Sequence, residues 1–385
     1  MDYGLYIHVP FCRTVCPYCE FNVVGWREPP WELYQQALLT ELRAQASAFE
    51  NHRLRTLYFG GGTPSLMPID VIEAILHEVK SISRVDEIEE ISFELNPGTV
   101  DRAYLEALKD LGITRVSIGW QATQKKLLHV LGRDHDDEES RLITKWALEC
   151  GFPSVSLDLI FAVPGQTLLD LEASLDELIE VGTHHVSMYE LTFDEGTPFS
   201  RRRDKGQLHE LEDDLVVAMM ERIATRLVEA DYERYEVSSF ARTGHRSLHN
   251  QGYWHGLPYL GIGPGAHGLR RRGDNGWERY QSVVSIKEWL DYWQGGNAAL
   301  RNEWTEILSS DTRFEERALT LARLSDPFPA VPDFVPRARL ADWNRGIEEA
   351  LQRGWLERIS NQSFRPTSVG LRFADSLGLL LSESD

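Results

Sequence analysis

The sequence predicts an α/β protein: an open, partial (β/α)6 barrel followed by a small winged-helix-like α+β domain. Three observations lead there. Between residues 3 and 192, six short runs rich in Ile, Val, Tyr and Phe alternate with longer amphipathic segments. The runs end in turn chemistry such as Gly60-Gly61-Gly62, Asn96-Pro97-Gly98 and Pro164-Gly165. From about residue 305 the pattern changes to helical stretches around a hairpin.

Strands are expected at 3–9, 54–59, 88–95, 113–119, 154–161 and 184–192, with helices at 31–50, 68–82, 101–111, 136–150 and 167–181 between them. In 101–111, Ala103, Leu105, Leu108 and Leu111 form the stripe that packs on a sheet. Gly112 and Gly151 stand just past helix ends, where a left-handed residue is wanted. Such alternation implies right-handed crossovers and a mainly parallel sheet. Six units fall short of a closed eight-stranded barrel, so the barrel is expected open, with its site at the C-terminal strand edge. A further helix is expected at 211–230, then a stretch dense in Gly, His and aromatics at 245–268. The tail reads as helices 311–324 and 339–353, a hairpin at 355–366 and a helix at 367–381. This divides the chain into a core at 1–200, a barrel extension at 201–304 and a C-terminal domain at 305–385.

Composition narrows the function classes. The 385 residues are 42% hydrophobic and 26% charged, with 29 Gly and 17 Pro, which suits a globular chain and not a disordered one. A net charge of −20 disfavours nucleic-acid binding through counterion release. The basic knot Arg201-Arg202-Arg203 reads as a solvated loop, and the C-terminal domain as a lid or protein-docking surface. No apolar run approaches the roughly 18 residues that span a bilayer. Met1 leads straight into a strand-like run, with no signal peptide ahead of it. A cytoplasmic protein is expected.

Four cysteines in so long a chain are not a disulfide framework. Cys12, Cys16 and Cys19 form a C-x3-C-x2-C loop leaving the first strand. Three thiolates so close can hold one corner of an iron–sulfur cube, each on a different iron, leaving the fourth iron open. Zinc would want a fourth ligand, and none lies in the loop. Cys150 ends a helix and reads as a small buried apolar residue. Glu94 and Asp158 sit inside apolar runs at strand ends, so each must be paired or functional, and Arg133 is a candidate partner. Gln121 also stands near a strand end. Gly60-Gly61-Gly62-Thr63-Pro64 offers backbone N–H groups to a carboxylate.

The cysteine spacing at the end of a first (β/α) strand resembles the radical S-adenosylmethionine superfamily, which implies a TIM-like partial barrel, a [4Fe–4S] cluster and S-adenosylmethionine on its open iron. Reductive cleavage of that cofactor to a 5′-deoxyadenosyl radical is what the resemblance implies chemically. The stretches Leu5 to Cys12, Phe59 to Pro64, Ser117 to Gln121 and Leu157 to Ile160 resemble the oxygen-independent coproporphyrinogen III oxidase family in its broad sense. That likeness implies S-adenosylmethionine contacts from Tyr6, Tyr18, Gly61, Gly62, Thr63, Glu94, Gln121, Arg133 and Asp158. Trp120 and Ala162-Val163 depart from the family pattern.

Decarboxylating members carry another cysteine two positions after the third, where this chain has Phe21, and an N-terminal extension that Cys12 leaves no room for. Cys-x-Phe and His249-Asn250-Gln251-Gly252-Tyr253-Trp254 instead resemble the HemW-type heme chaperones, with Leu260 to Gly268 following as in that family. The resemblance implies binding of heme and its transfer to an acceptor protein. An imidazole suits heme iron and flanking aromatics suit the macrocycle, so His249 is the candidate axial ligand, with His255 and His267 as alternatives. His184 and His185 read as structural. The competing reading is a radical enzyme acting on coproporphyrinogen III or another tetrapyrrole.

Overall fold

The computed structural model describes residues 2–49, 52–83, 88–273, 276–296 and 299–383. Its main body is a twelve-stranded sheet. The six expected strands are β1 (Asp2–Val9), β2 (Arg53–Gly61), β3 (Glu90–Leu95), β4 (Arg115–Gln121), β5 (Ser154–Phe161) and β6 (His185–Glu190). They lie side by side in that order and all in parallel. Ser239–Ala241 (β7) pairs antiparallel with β6, and Glu233–Arg234 pairs antiparallel beyond it as the last strand on that edge.

The other edge differs from the expectation. Tyr259–Ile262 (β8) pairs in parallel with β1 and makes a seventh parallel strand. Three antiparallel strands extend the sheet beyond it: β9 (His267–Arg272), β10 (Gly276–Ser282) and β11 (Asn302–Leu308). Residue 305, the expected start of the last domain, therefore lies inside β11.

The helices fall close to their expected places: Trp31–Ala44, Ile69–Ile82, Arg102–Asp110, Asp137–Glu149, Leu168–Val181 and Asp213–Glu229. The first was expected to reach residue 50, which lies outside the described residues. Arg201-Arg202-Arg203 is in the helix Pro198–Asp204 and not in a loop. The tail forms helices Ser310–Ala322 and Leu340–Gln352 on a three-stranded sheet, with its own core around Phe314, Trp343, Phe364 and Leu377. Its last helix is split into Ser368–Arg372 and Ala374–Ser382.

Side-chain parity along the strands decides where the core sits. Outward positions such as Leu5, Ile7, Phe59, Phe93, Ile118 and Leu157 are buried against the helices. Inward positions are largely polar: Tyr6 and His8, Thr56 and Tyr58, Ser92 and Glu94, Ser156 and Asp158. The barrel lumen is thus a hydrogen-bonded polar space, unlike the packed aliphatic layers of a closed barrel. Among the described residues, no helix is long and apolar enough to cross a membrane.

Candidate functional site

At the C-terminal ends of the parallel strands lies a cavity of about 440 Å³. Cys12, Cys16, Cys19, Tyr18, Gly61, Gly62, Thr63, Glu94, Gln121, Arg133 and Asp158 all line it. The strands deliver them from six different places in the chain. Tyr6 and His249 do not line it.

The cysteine loop is tied down at several points. Its entry, Phe11–Cys12, pairs with Val24–Gly25. Asn22 donates through Nδ2 to the carbonyls of Pro264 and Val284, both at 2.9 Å. Gly265 is left-handed at φ +78°, and a Cβ there would stand 2.5 Å from that same Nδ2. The segment Leu260 to Gly268 therefore acts as a cradle for the loop.

The glycine loop does not offer the N–H groups expected of it. Gly62 N–H is donated to Val9 O at 2.7 Å, Thr63 N–H to Phe11 O at 2.9 Å and Gly61 N–H to Glu94 at 3.2 Å. All three are spent inside the protein, so a carboxylate gains nothing from them. The glycines are needed for close approach: a Cβ on Gly62 would meet Phe11 O at 2.8 Å and Cys12 Sγ at 3.0 Å. Gly62→Ala should therefore displace the Cys12 thiol and lower iron uptake on reconstitution while the chain stays folded; unchanged iron content would count against that placement.

Charge in the cavity is poorly compensated. Burial pushes Glu94 up to about 7, against the hydrogen bond from Tyr58 Oη at 2.8 Å. Burial also raises Asp158, whose Oδ2 accepts from Ser117 at 2.8 Å while Oδ1 has no protein partner. Arg133 reaches Cys16 Sγ at 3.3 Å and Asn96 Oδ1 at 2.6 Å, and its Nε is likewise unpartnered. Two buried polar atoms without partners, on opposite charges, mark where a polar ligand fits. Burial raises the Cys12 thiol, and raises Cys19 to about 11, so thiolates there need nearby cations. Cys12, Cys16 and Cys19, three thiols of one loop on one cavity, fit the donor set of a cluster whose irons each take one thiol.

Gln121, which lines the cavity, is left-handed at φ 69°, and so is Ala162 (φ 60°), buried just past the end of β5. Each such residue costs about 1–3 kcal/mol and tends to sit at functional sites. Gly119 makes room for the folded-back amide, since a Cβ there would lie 2.7 Å from Gln121 Nε2. Trp120 is buried, with Nε1 donating to Asp137 at 3.0 Å. Sequence reasoning missed Tyr58, Ser117 and Tyr189, which also line the cavity. Their signal was inward parity on strands that neighbour those carrying Glu94 or Asp158.

His249 occupies the opposite end of the barrel. Its helix, Leu248–Trp254, plugs the N-terminal mouth, and the Glu90 carboxylate accepts from the N–H groups of Leu248 (2.9 Å) and His249 (3.1 Å). The imidazole is 2% exposed, with Nδ1 on Thr56 Oγ1 at 2.9 Å and Nε2 on Tyr253 Oη at 2.7 Å. The imidazole named from the sequence as the candidate axial ligand thus has both ring nitrogens hydrogen-bonded in this conformation. His267 is exposed beside Trp304, and His255 is exposed at its helix end. His185 is buried between Ser156 and Tyr235, while His184 stacks on His245. Cys150 is half-buried at the end of the helix Asp137–Glu149 and away from the cavity.

Residues 6–178 match the radical S-adenosylmethionine superfamily model. The heme chaperone HemW of Mycobacterium tuberculosis is 34% identical over 381 residues, 97% of this chain and 93% of that protein. HemW of Escherichia coli is 35% identical over 377 residues, covering 97% and 96%. A mitochondrial radical S-adenosyl methionine domain-containing protein 1 of Danio rerio is 36% identical over 326 residues, 84% of this chain and 70% of that protein. Among solved structures, coproporphyrinogen III oxidase HemN of Escherichia coli superposes with a TM-score of 0.82 over 99% of this chain and 90% of its own. Its 20% identity speaks to the fold alone. Near full-length likeness at a third of all positions carries more, and the chain belongs to the HemW family of the radical S-adenosylmethionine superfamily.

Proposed function

We propose that this protein is a cytoplasmic heme carrier, which binds heme and hands it to an acceptor protein, with a [4Fe–4S] cluster on Cys12, Cys16 and Cys19 and S-adenosylmethionine in the adjoining cavity. The observation that carries the reading is the likeness over 97% of the chain to proteins named heme chaperones. Phe21, two positions after Cys19, supports it: the residue is 63% exposed and offers no further thiol.

When bound, the cluster would supply an electron to S-adenosylmethionine at its open iron. The chain's own residues do the rest. Asp158 Oδ1 and Arg133 Nε would gain the partners they lack, and Glu94, Gln121 and Tyr18 would orient the ligand. Tyr6 supports the floor from behind, its hydroxyl on His8 Nδ1 at 3.1 Å. His249 would serve heme iron through Nε2, with Thr56 fixing the ring through Nδ1 as outer partners of metal-bound imidazoles do. This requires the helix Leu248–Trp254 to move off the barrel and Tyr253 to release Nε2.

Anaerobic heme titration of the cluster-reconstituted protein tests the reading. Saturable one-to-one binding is expected, lost in His249→Ala and tightened in Tyr253→Phe, where Nε2 is already free. Equal, weak binding in all three, with unchanged thermal melts, would remove both the ligand and the carrier reading. Separate His255→Ala and His267→Ala titrations show whether another imidazole takes the iron.

A further inference from the structure

The polar lumen holds an arrangement that the cavity ligands do not use. Four of its tyrosines each have a hydroxyl on a base. Tyr58 donates to Glu94 Oε1 at 2.8 Å and Tyr253 meets His249 Nε2 at 2.7 Å. Tyr6 meets His8 Nδ1 at 3.1 Å and Tyr235 meets His185 Nε2 at 2.8 Å. Oxidising a phenol makes its proton strongly acidic, so a base within hydrogen-bond reach eases the loss of the electron.

Three of these rings also form a contact chain. Tyr6 and Tyr58 have centroids 6.1 Å apart, Tyr58 and His249 5.0 Å, His249 and Tyr253 4.9 Å, and Tyr253 and Tyr259 4.6 Å. Tyr58 lines the cavity, and Tyr259 is part-exposed at the opposite mouth beside Tyr3 and Arg55. The chain therefore runs the length of the barrel, from the cavity to its far end.

We propose that Tyr58, His249, Tyr253 and Tyr259 form a redox relay that draws one-electron oxidising equivalents out of the cavity and away from the ligands held there. In the first step Tyr58 gives an electron to a thiyl radical on a cavity cysteine, which becomes a thiolate, and its hydroxyl proton to the Glu94 carboxylate, leaving a neutral phenoxyl. In the second, Tyr253 gives an electron to that phenoxyl and its proton to His249 Nε2, while Glu94 returns its proton to Tyr58. In the third, Tyr259 gives an electron to the Tyr253 phenoxyl and its hydroxyl proton to water at the part-exposed mouth, while His249 returns its proton to Tyr253. Each step moves one electron and one proton and breaks only O–H and N–H bonds. His249 is placed to accept because its Nε2 faces the Tyr253 hydroxyl at 2.7 Å while Nδ1 faces Thr56 Oγ1 at 2.9 Å. The relay needs the helix Leu248–Trp254 seated as described, so heme ligation by His249 and electron transfer through the lumen exclude each other. It rests on the barrel geometry and not on the carrier reading.

A photosensitiser on Cys19 tests it in the full-length chain, with Cys12, Cys16 and Cys150 replaced by serine. A flash with an external electron acceptor makes the oxidant at the cavity, without cluster, S-adenosylmethionine or heme. The expected result is a tyrosyl EPR signal, narrowed by ring-deuterated tyrosine, that forms early and then changes as the hole moves on. Tyr58→Phe should lose the early signal. Tyr253→Phe should keep it and lose the later component, and Glu94→Gln should slow its formation without disturbing the ring contacts. Tyr189→Phe, in the same cavity but outside the chain of contacts, should change nothing. The same signal in wild type, Tyr58→Phe and Glu94→Gln, or one that vanishes in Tyr189→Phe, would overturn the relay.

Discussion

Replacing any one of Cys12, Cys16 and Cys19 by alanine is expected to leave the reconstituted protein without iron and without its visible absorption. Each thiol would hold a different iron, and the loop contains no other soft donor to take its place. The remaining cysteine, Cys150, ends a helix outside the cavity, so Cys150→Ala should reconstitute like wild type. Burial already disfavours the thiolates at Cys12 and Cys19, so two thiols without the positive charge of a complete cluster would go back to their protonated forms. Iron content and absorption after anaerobic reconstitution decide the matter. Full iron in any of the three variants would end the assignment.

A second large effect is expected far from the cavity, at Glu41. This carboxylate is buried under the antiparallel edge and accepts from Gly263 N–H at 2.8 Å, Trp289 Nε1 at 3.0 Å and Ser282 Oγ at 3.1 Å. It joins the helix Trp31–Ala44 to the loop before β9 and to the helix Ile286–Gln294. Glu41→Ala would orphan three donors and open a void, a loss of about 3 kcal/mol or more in a denaturant melt. Glu41→Gln keeps an acceptor and should cost far less.

Wild type and Glu41→Gln also separate in pH. Burial pushes Glu41 up to about 7 from an ordinary 4.5, so the folded protein holds this proton more tightly than the unfolded chain. That contribution is full below the unfolded pKa and is lost as pH rises through the folded one. Between these values the stability of wild type should fall relative to Glu41→Gln. Parallel pH profiles for the two proteins would refute it.

The sequence carried the parallel half of the molecule well and the antiparallel half poorly, for physical reasons. Strands such as Val155 to Ile160 announce themselves through β-branched and aliphatic residues. The strand Tyr259–Ile262 hides inside a glycine-rich stretch, because a Cβ at Gly261 would stand 1.9 Å from His267 O and only glycine fits. The outermost strand, Asn302–Leu308, is exposed along most of its length and shows no buried face to mark it. At the site, the cysteines and Glu94 were legible as chemistry out of place. The placement of His249 was not, since nothing local says that a helix beginning at Leu248 is capped by Glu90 from a distant strand. That pairing is a fact of the tertiary fold.

The apolar-outside, polar-inside division of the parallel strands has a practical meaning for anyone changing this protein. Two neighbouring positions on one strand answer to different demands. At Phe59 or Ile118 a substitution is a packing defect, read in a melting curve. One residue along, at Tyr58 or Ser117, it alters the lumen's chemistry and leaves the hydrophobic framework standing. Because the framework closes over the outer faces, the inner surface can be rewritten almost as freely as a binding groove on the exterior. A barrel built this way can change what its lumen holds while its outline stays the same.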